Sequence, residues 1–198
     1  MLHGDARTGQ GLVDQAFLLD GDGDFVDVPD DEALNVGTGD FTVDLWVLFN
    51  STEVTEILVE KWVQRFPGSE GWTLQKGEDN TLLLDMDDGA GEIDVASDAL
   101  PIAAGTWTHF AATRRDGQVT LFMNGAPVAQ GESPLNLNST SSLKFGHRGG
   151  SIDTPGSEDE GWAFLNGRID EVELFVGQAL TRDQIRAIFN AGSAGKCK

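Results

Sequence analysis

The stretch Trp107–Val128 reads WTHFAATRRDGQVTLFMNGAPV. It holds two strand candidates, Trp107–Thr113 and Val119–Met123, both short and rich in β-branched and aromatic residues. Arg115-Asp116-Gly117-Gln118 joins them through Asp-Gly, and Met123-Asn124-Gly125-Ala126 follows with Asn-Gly. Both dipeptides accept the positive φ angles of a two-residue hairpin turn, and Asn-Gly is the strongest short hairpin signal. The spacing predicts one β-meander from Trp107 to about Val128.

The same alternation spreads outward from the meander. Phe25–Val28 follows an Asp-Gly-Asp-Gly turn and stops at Pro29, and Phe41–Phe49 alternates apolar with polar before turning fully apolar. Ile57–Val59, Thr81–Asp85 and Ile169–Val176 are further strand candidates, and Gly71-Trp72-Thr73-Leu74 opens another. One segment reads as helix, Leu180–Asn190. Thr181 can cap it, Gln184 closes a capping box, Ile185, Ile188 and Phe189 share a face, and Gly192 stops it. Many short strands with one terminal helix predict an all-β, two-sheet antiparallel sandwich. A chain of 198 residues fits one domain that needs no staples. Its single cysteine, Cys197, allows no intrachain disulfide. The stretch Gly146–Gly161 is the longest without strand or helix pattern, and such a loop is expected to be functional or disordered.

Acids outnumber bases, 33 to 13, for a net charge of −20. That surface repels nucleic acid and anionic membranes. It suits divalent cations, neutral glycans or saline surroundings. No apolar run is long enough to insert in a membrane. Met1-Leu2-His3-Gly4 lacks the apolar core of a signal peptide, so the protein is expected to be cytoplasmic or to have lost a targeting segment.

Five segments together resemble a known family: FLLDGDGDFVDVP (17–29), GDFTVDLWV (39–47), GTWTHFAATR (105–114), VTLFMNG (119–125) and FLNGRIDEVELFVGQALTRDQIRAIFNAG (164–192). They are similar to the laminin G-like domains of the concanavalin A-like lectin/glucanase superfamily, over Gln10–Gly192. The resemblance implies a jelly-roll fold of two curved sheets across residues 1–198, as a module of a larger secreted or cell-surface protein. It also implies a structural calcium ion, held here by Asp20 or Asp22, the carbonyl of Gly39, and Asp170. Asp20–Asp31 is not an EF-hand loop, since Phe25 stands where that loop has glycine and Asp27 where it has a hydrophobe. A tight Asp-Gly turn explains the same stretch without a metal, and both readings stay open. Asp170 lies in a strand expected to be buried, where a carboxylate needs a cation or several donors.

Glu92-Ile93-Asp94-Val95-Ala96-Ser97 resembles the catalytic strand of laminarinase-type hydrolases of this fold, but Ala96 and Ser97 stand where the second glutamate belongs. Glu92 and Asp94 therefore read as solvated strand acids. His3, His109 and His147 form no metal-spaced pair, and Cys197 has no base near it in sequence. The expected function is a non-catalytic recognition module. Glycan binding needs flat aromatic faces and a few fixed polar groups. Trp46 and Trp107 fall on positions expected inside. Trp62, Trp72 and Trp162 lie near strand ends or loops, with Lys61, Asp85, Asp87, Asp88, His147 and Arg148 as polar companions. The expected partner is a polysaccharide or glycan. A protein partner, other domains of a parent chain, or a spacer role are the alternatives.

Overall fold

The computed structural model describes residues 1–65, 68–149 and 162–195. The part of the Gly146–Gly161 loop from 150 onward, and Cys197, lie outside the described residues. The strands in chain order are β1 (Leu2–His3), β2 (Arg7–Gln10), β3 (Gln15–Asp20), β4 (Phe25–Val28), β5 (Phe41–Phe49), β6 (Glu56–Val63), β7 (Glu70–Lys76), β8 (Leu82–Asp88), β9 (Glu92–Ala96), β10 (Trp107–Arg115), β11 (Gln118–Met123), β12 (Ala126–Glu132), β13 (Leu143–Phe145) and β14 (Asn166–Val176). One α-helix, α1 (Arg182–Ala191), follows. The strands form two antiparallel seven-stranded sheets, the first in the order β1-β4-β13-β6-β7-β8-β9 and the second in the order β12-β11-β10-β5-β14-β3-β2. This is a jelly-roll sandwich.

The meander is as predicted. Asp116 and Gly117 both have positive φ, as do Asn124 and Gly125, so each turn has the backbone its dipeptide favours. β10 pairs with β11 and β11 with β12, and β12 runs on to Glu132. The period-2 pattern of β5 places Phe41, Val43, Leu45, Val47 and Phe49 in the core between the sheets, where they meet Leu58, Val59, Leu74 and Leu84 from the first sheet.

Trp46 is interior, as expected, but on the outer side of its own sheet. It alternates with the core residues Leu45 and Val47 and so points away from the other sheet. It is buried by α1 instead. Phe189 stacks on Trp46 at 5.7 Å between centroids, and Ile185 and Ile188 join Ala111, Phe122 and Leu180 in a second small core. Thr181 and Gln184 make the predicted capping box, and Gly192 ends the helix with φ of 48°. The helix thus closes the outer face of the second sheet around the buried His109–Asp44 contact at 3.3 Å. No helix among the described residues is long and apolar enough to cross a membrane.

Candidate functional site

The outer face of the first sheet carries the polar chemistry. Directly opposed residues in a sheet share a face. The pairs Lys144↔Glu60, Glu60↔Thr73, Thr73↔Asp85 and Asp85↔Asp94 therefore form one polar row across β13, β6, β7, β8 and β9. Their sequence neighbours Val59, Leu74, Leu84 and Val95 are core residues, so the row points outward. A second outer row holds Trp62, Gly71, Asp87 and Glu92. Gly71 has φ of +121°, and a Cβ there would lie 1.9 Å from the Lys61 carbonyl oxygen; only glycine lets β7 run this close to β6 beside Trp62.

Arg148 organises the first row. Its backbone pairs with that of Trp162 through two N–H···O bonds of 3.0 Å. Its guanidinium sits 4.8 Å from the Trp62 ring centroid and 5.4 Å from that of Trp162, a cation held between two aromatic faces. One Nη donates to Asp85 Oδ2 at 3.1 Å, and Nε lies 3.8 Å from Glu60 Oε2. Glu60 is fully buried and also accepts the Gly149 N–H at 3.0 Å and, at the long limit of 3.5 Å, the Thr73 hydroxyl. Burial pushes the Glu60 carboxyl up to about 7, against the opposing pull of the Gly149 N–H and the Arg148 charge. Burial likewise raises Asp85 to about 6, opposed by Arg148 and helped by the neighbouring charges of Asp94 and Glu92. Asp94 is raised too, by burial, with Arg148 opposing.

Of the residues expected at a ligand site, Trp62, Asp85, Arg148 and Trp162 come together. Trp162 is 52% exposed and offers its ring to solvent, whereas Trp62 is buried beneath the guanidinium. The other five do other work, Asp88 by accepting the Ala90 and Gly91 N–H groups in the turn after β8. Trp72 points inward and packs on Phe41 at 5.8 Å in the core. Lys61 faces away from its neighbours Glu60 and Trp62; its Nζ is buried on Asp30 Oδ1 and the carbonyls of Ser139 and Ser141, where it pins two loops. Asp87 lies on the outer face, but its carboxylate accepts the Ser69 and Gly89 N–H groups and fixes both ends of the β7–β8 hairpin. His147 is buried against Phe25 at 3.9 Å and Phe164 at 5.3 Å between centroids, in an aromatic column that His3 extends. Glu60 and Asp94 are the site residues missing from the sequence-derived set. The only sequence signal for Glu60 was a carboxylate two positions before a tryptophan, in a strand that also holds Glu56 and Lys61.

The expected calcium ligands do not converge. The Gly39 carbonyl accepts the Nε and Nη2 groups of Arg114, at 2.9 and 2.8 Å. Asp170 accepts Val13 N–H at 2.9 Å and Glu171 N–H at 2.8 Å, which holds the β2–β3 turn and the bulge of β14. Asp20 stands opposite Asn166, four residues along β14 from Asp170, about 13 Å at strand spacing. The Asp20–Asp24 stretch is built as a turn. Asp20 accepts Asp22 N–H, buried Asp24 accepts the N–H groups of Asp5 and Asp20, and Gly21 and Gly23 have positive φ. Asp170→Ala is expected to cost about 2 kcal/mol through the two abandoned N–H donors. The fall in melting temperature should be equal in calcium and in EDTA; a larger fall in calcium would restore the expected ligand set.

The comparisons with known proteins agree with this architecture. The family described as the concanavalin A-like lectin/glucanases superfamily matches residues 20–186. No curated protein sequence matches the chain. Among solved structures, domain 4 of AbnA, a GH43 extracellular arabinanase from Geobacillus stearothermophilus in complex with arabinotriose, is similar at 20% identity and TM-score 0.67, over 93% of this chain and 81% of that one. The botulinum neurotoxin serotype C1 binding domain is similar at 17% identity and TM-score 0.72. The botulinum neurotoxin DC binding domain in complex with SialylT is similar at 16% identity and TM-score 0.69. The match to the serotype C1 chain covers 96% of this chain and 46% of that one, so this chain spans about half of its length.

Proposed function

The chain belongs to the concanavalin A-like lectin/glucanase superfamily, and on that premise we propose that it is a carbohydrate-binding module that holds a glycan against the outer face of its first sheet. The observation that carries this reading is the half-exposed Trp162 ring, fixed on Arg148 above the polar row. A sugar ring stacks on such a face while nearby carboxylates and amides meet its hydroxyls. The arabinotriose of the arabinanase domain and the SialylT of the toxin domain support a glycan as the ligand class. The module is non-catalytic in this reading. A glycosidase needs one free carboxyl acid and one facing carboxylate. Here Glu60 and Asp85 are both engaged by Arg148. The module then works outside the cell or on its surface, attached to further domains.

Trp162→Ala tests it. The variant is expected to lose about tenfold in retention by a polysaccharide gel, the equivalent of about 1.4 kcal/mol, with its melting temperature unchanged. Unchanged retention in the variant, or no retention of the parent chain by any neutral or acidic polysaccharide, sinks the reading. The second outcome would turn attention to a protein partner.

A further inference from the structure

The outer face of the second sheet is covered by α1 only in part. The helix packs over Ala111 and Phe122 and stacks Phe189 on Trp46. Beyond it the register lays out two outer rows across β10, β11 and β12: Thr113↔Thr120↔Gln130 and Arg115↔Gln118↔Glu132. Their neighbours Ala112, Val119 and Leu121 are core residues, so both rows point outward. Between these rows and the start of α1 lies a cavity of about 360 Å³ with Phe122 and Leu180 in its lining. Two further depressions, of about 470 and 350 Å³, extend it along the helix, one against residues 127–130 and the other against residues 124–126 and Phe189. Arg182 lines all three, so they form one groove between α1 and the last strand of the sheet.

The charge of the groove is opposite to that of the molecule. Arg115 stands at one end, and Arg182 and Arg186 lie one turn apart on α1, about 6 Å along its axis. All three are exposed, and among the described residues none has a carboxylate within ion-pairing distance. Arg115 spends one Nη on the Ala179 carbonyl. In a chain with 33 acids and 13 bases, three cations without an internal anion on one groove reverse the sign of the local field. Glu132 accepts the Gln118 amide at 2.7 Å, and Asp183 lies about 100° further round the helix and lines none of the three depressions. An added peptide strand is disfavoured, because Pro127 removes a donor from β12 and the register shifts between Leu121 and Phe122. Three spaced guanidinia also suit one carboxylate per repeating unit better than the dense charge of a phosphate backbone. We propose that this groove binds an acidic polysaccharide, its uronate carboxylates on Arg115, Arg182 and Arg186 and its hydroxyls on Thr120, Gln118 and Gln130. Guanidinium forks match carboxylates in two-bond geometry, and amides serve hydroxyls as donor and acceptor. The proposal rests on the carbohydrate-binding reading for the sugar and on the groove alone for the anion. It adds a second site, on the opposite side of the sandwich from Trp162.

The test is retention of the whole chain on gels of polygalacturonate and of its methyl ester, which has the same sugar without the charge. The parent chain should be held by the acid gel. Arg182→Gln with Arg186→Gln, both at exposed positions, should lower that retention at least about tenfold, with the melting temperature and the retention on the ester unchanged. No retention of the parent on polygalacturonate overturns the site, as does retention that survives the double variant. An equal loss on the acid and ester gels overturns the recognition of the carboxylate. Release from the acid gel by poly-glutamate as readily as by oligogalacturonate overturns the sugar half and assigns the groove to an acidic protein. Trp162→Ala separates the two faces. If it leaves retention by neutral gels intact while the arginine pair abolishes retention by the acid gel, the groove stands and the reading of the first sheet falls. The reverse result upholds the first sheet and overturns the groove.

Discussion

Arg148→Met is expected to lower the unfolding free energy by about 3–5 kcal/mol at pH 8, the usual cost of removing one partner from a buried ion pair. The methionine keeps an unbranched stem between Trp62 and Trp162, so most of the loss is electrostatic. Glu60 would remain fully buried with, among the described residues, the Gly149 N–H and the Thr73 hydroxyl as its donors. Asp85 would lose the one hydrogen bond that its carboxylate makes among the described residues. Adding Glu60→Gln to the same chain should recover part of the loss, because the stranded charge is then gone. Urea unfolding of the two single variants and the double variant forms the cycle that isolates the coupling. A loss below about 1 kcal/mol for Arg148→Met would place this pair with ordinary surface bridges.

The second large effect is on pH. The folded state holds the Glu60 proton up to about 7, whereas the ordinary value is 4.5. It holds the Asp85 proton up to about 6, against 3.8. Both values are raised, so between the ordinary and the folded value the native state binds more protons than the unfolded state. Stability therefore falls as pH rises through that window and levels off above about 7. Glu60 alone accounts for about 3 kcal/mol at 1.36 kcal/mol per unit. The net charge of −20 adds self-repulsion in the same direction. Glu60→Gln separates the two contributions: between pH 5 and pH 8 the parent chain should lose about 3 kcal/mol more than the variant. Equal losses would mean that general repulsion accounts for the whole slope.

What could be read from the sequence was local. The Asp-Gly and Asn-Gly turns, the Thr181–Gln184 capping box and the alternation of β5 each need only neighbouring residues, and each stands as expected. The site was legible in part, because it depends on which way a strand faces and on what crosses it. All eight residues of β6 are buried, so its pattern gives no period of two, and a bulge between Ile57 and Val59 shifts the phase. Glu60 and Lys61 therefore could not be sorted. The glutamate proved to face the site and the lysine to face the loops beneath. Trp72 and Trp62 stand nearly opposite each other across two strands, yet one is core and the other site, again a matter of facing. The contact between Glu60 and Gly149 spans 89 residues, a separation that no local pattern encodes.

The position of β9 at the end of its sheet has one more consequence. A terminal strand presents unpaired backbone donors and acceptors, and a second chain can add to it. Glu92 and Asp94 place like charges along that border. Two copies approaching edge to edge would bring four carboxylates into register. Those acids thereby oppose edge-to-edge pairing of two copies through β9. Neutralising them by substitution lowers that barrier, so light scattering of a Glu92→Gln/Asp94→Asn chain should show association that the parent chain does not.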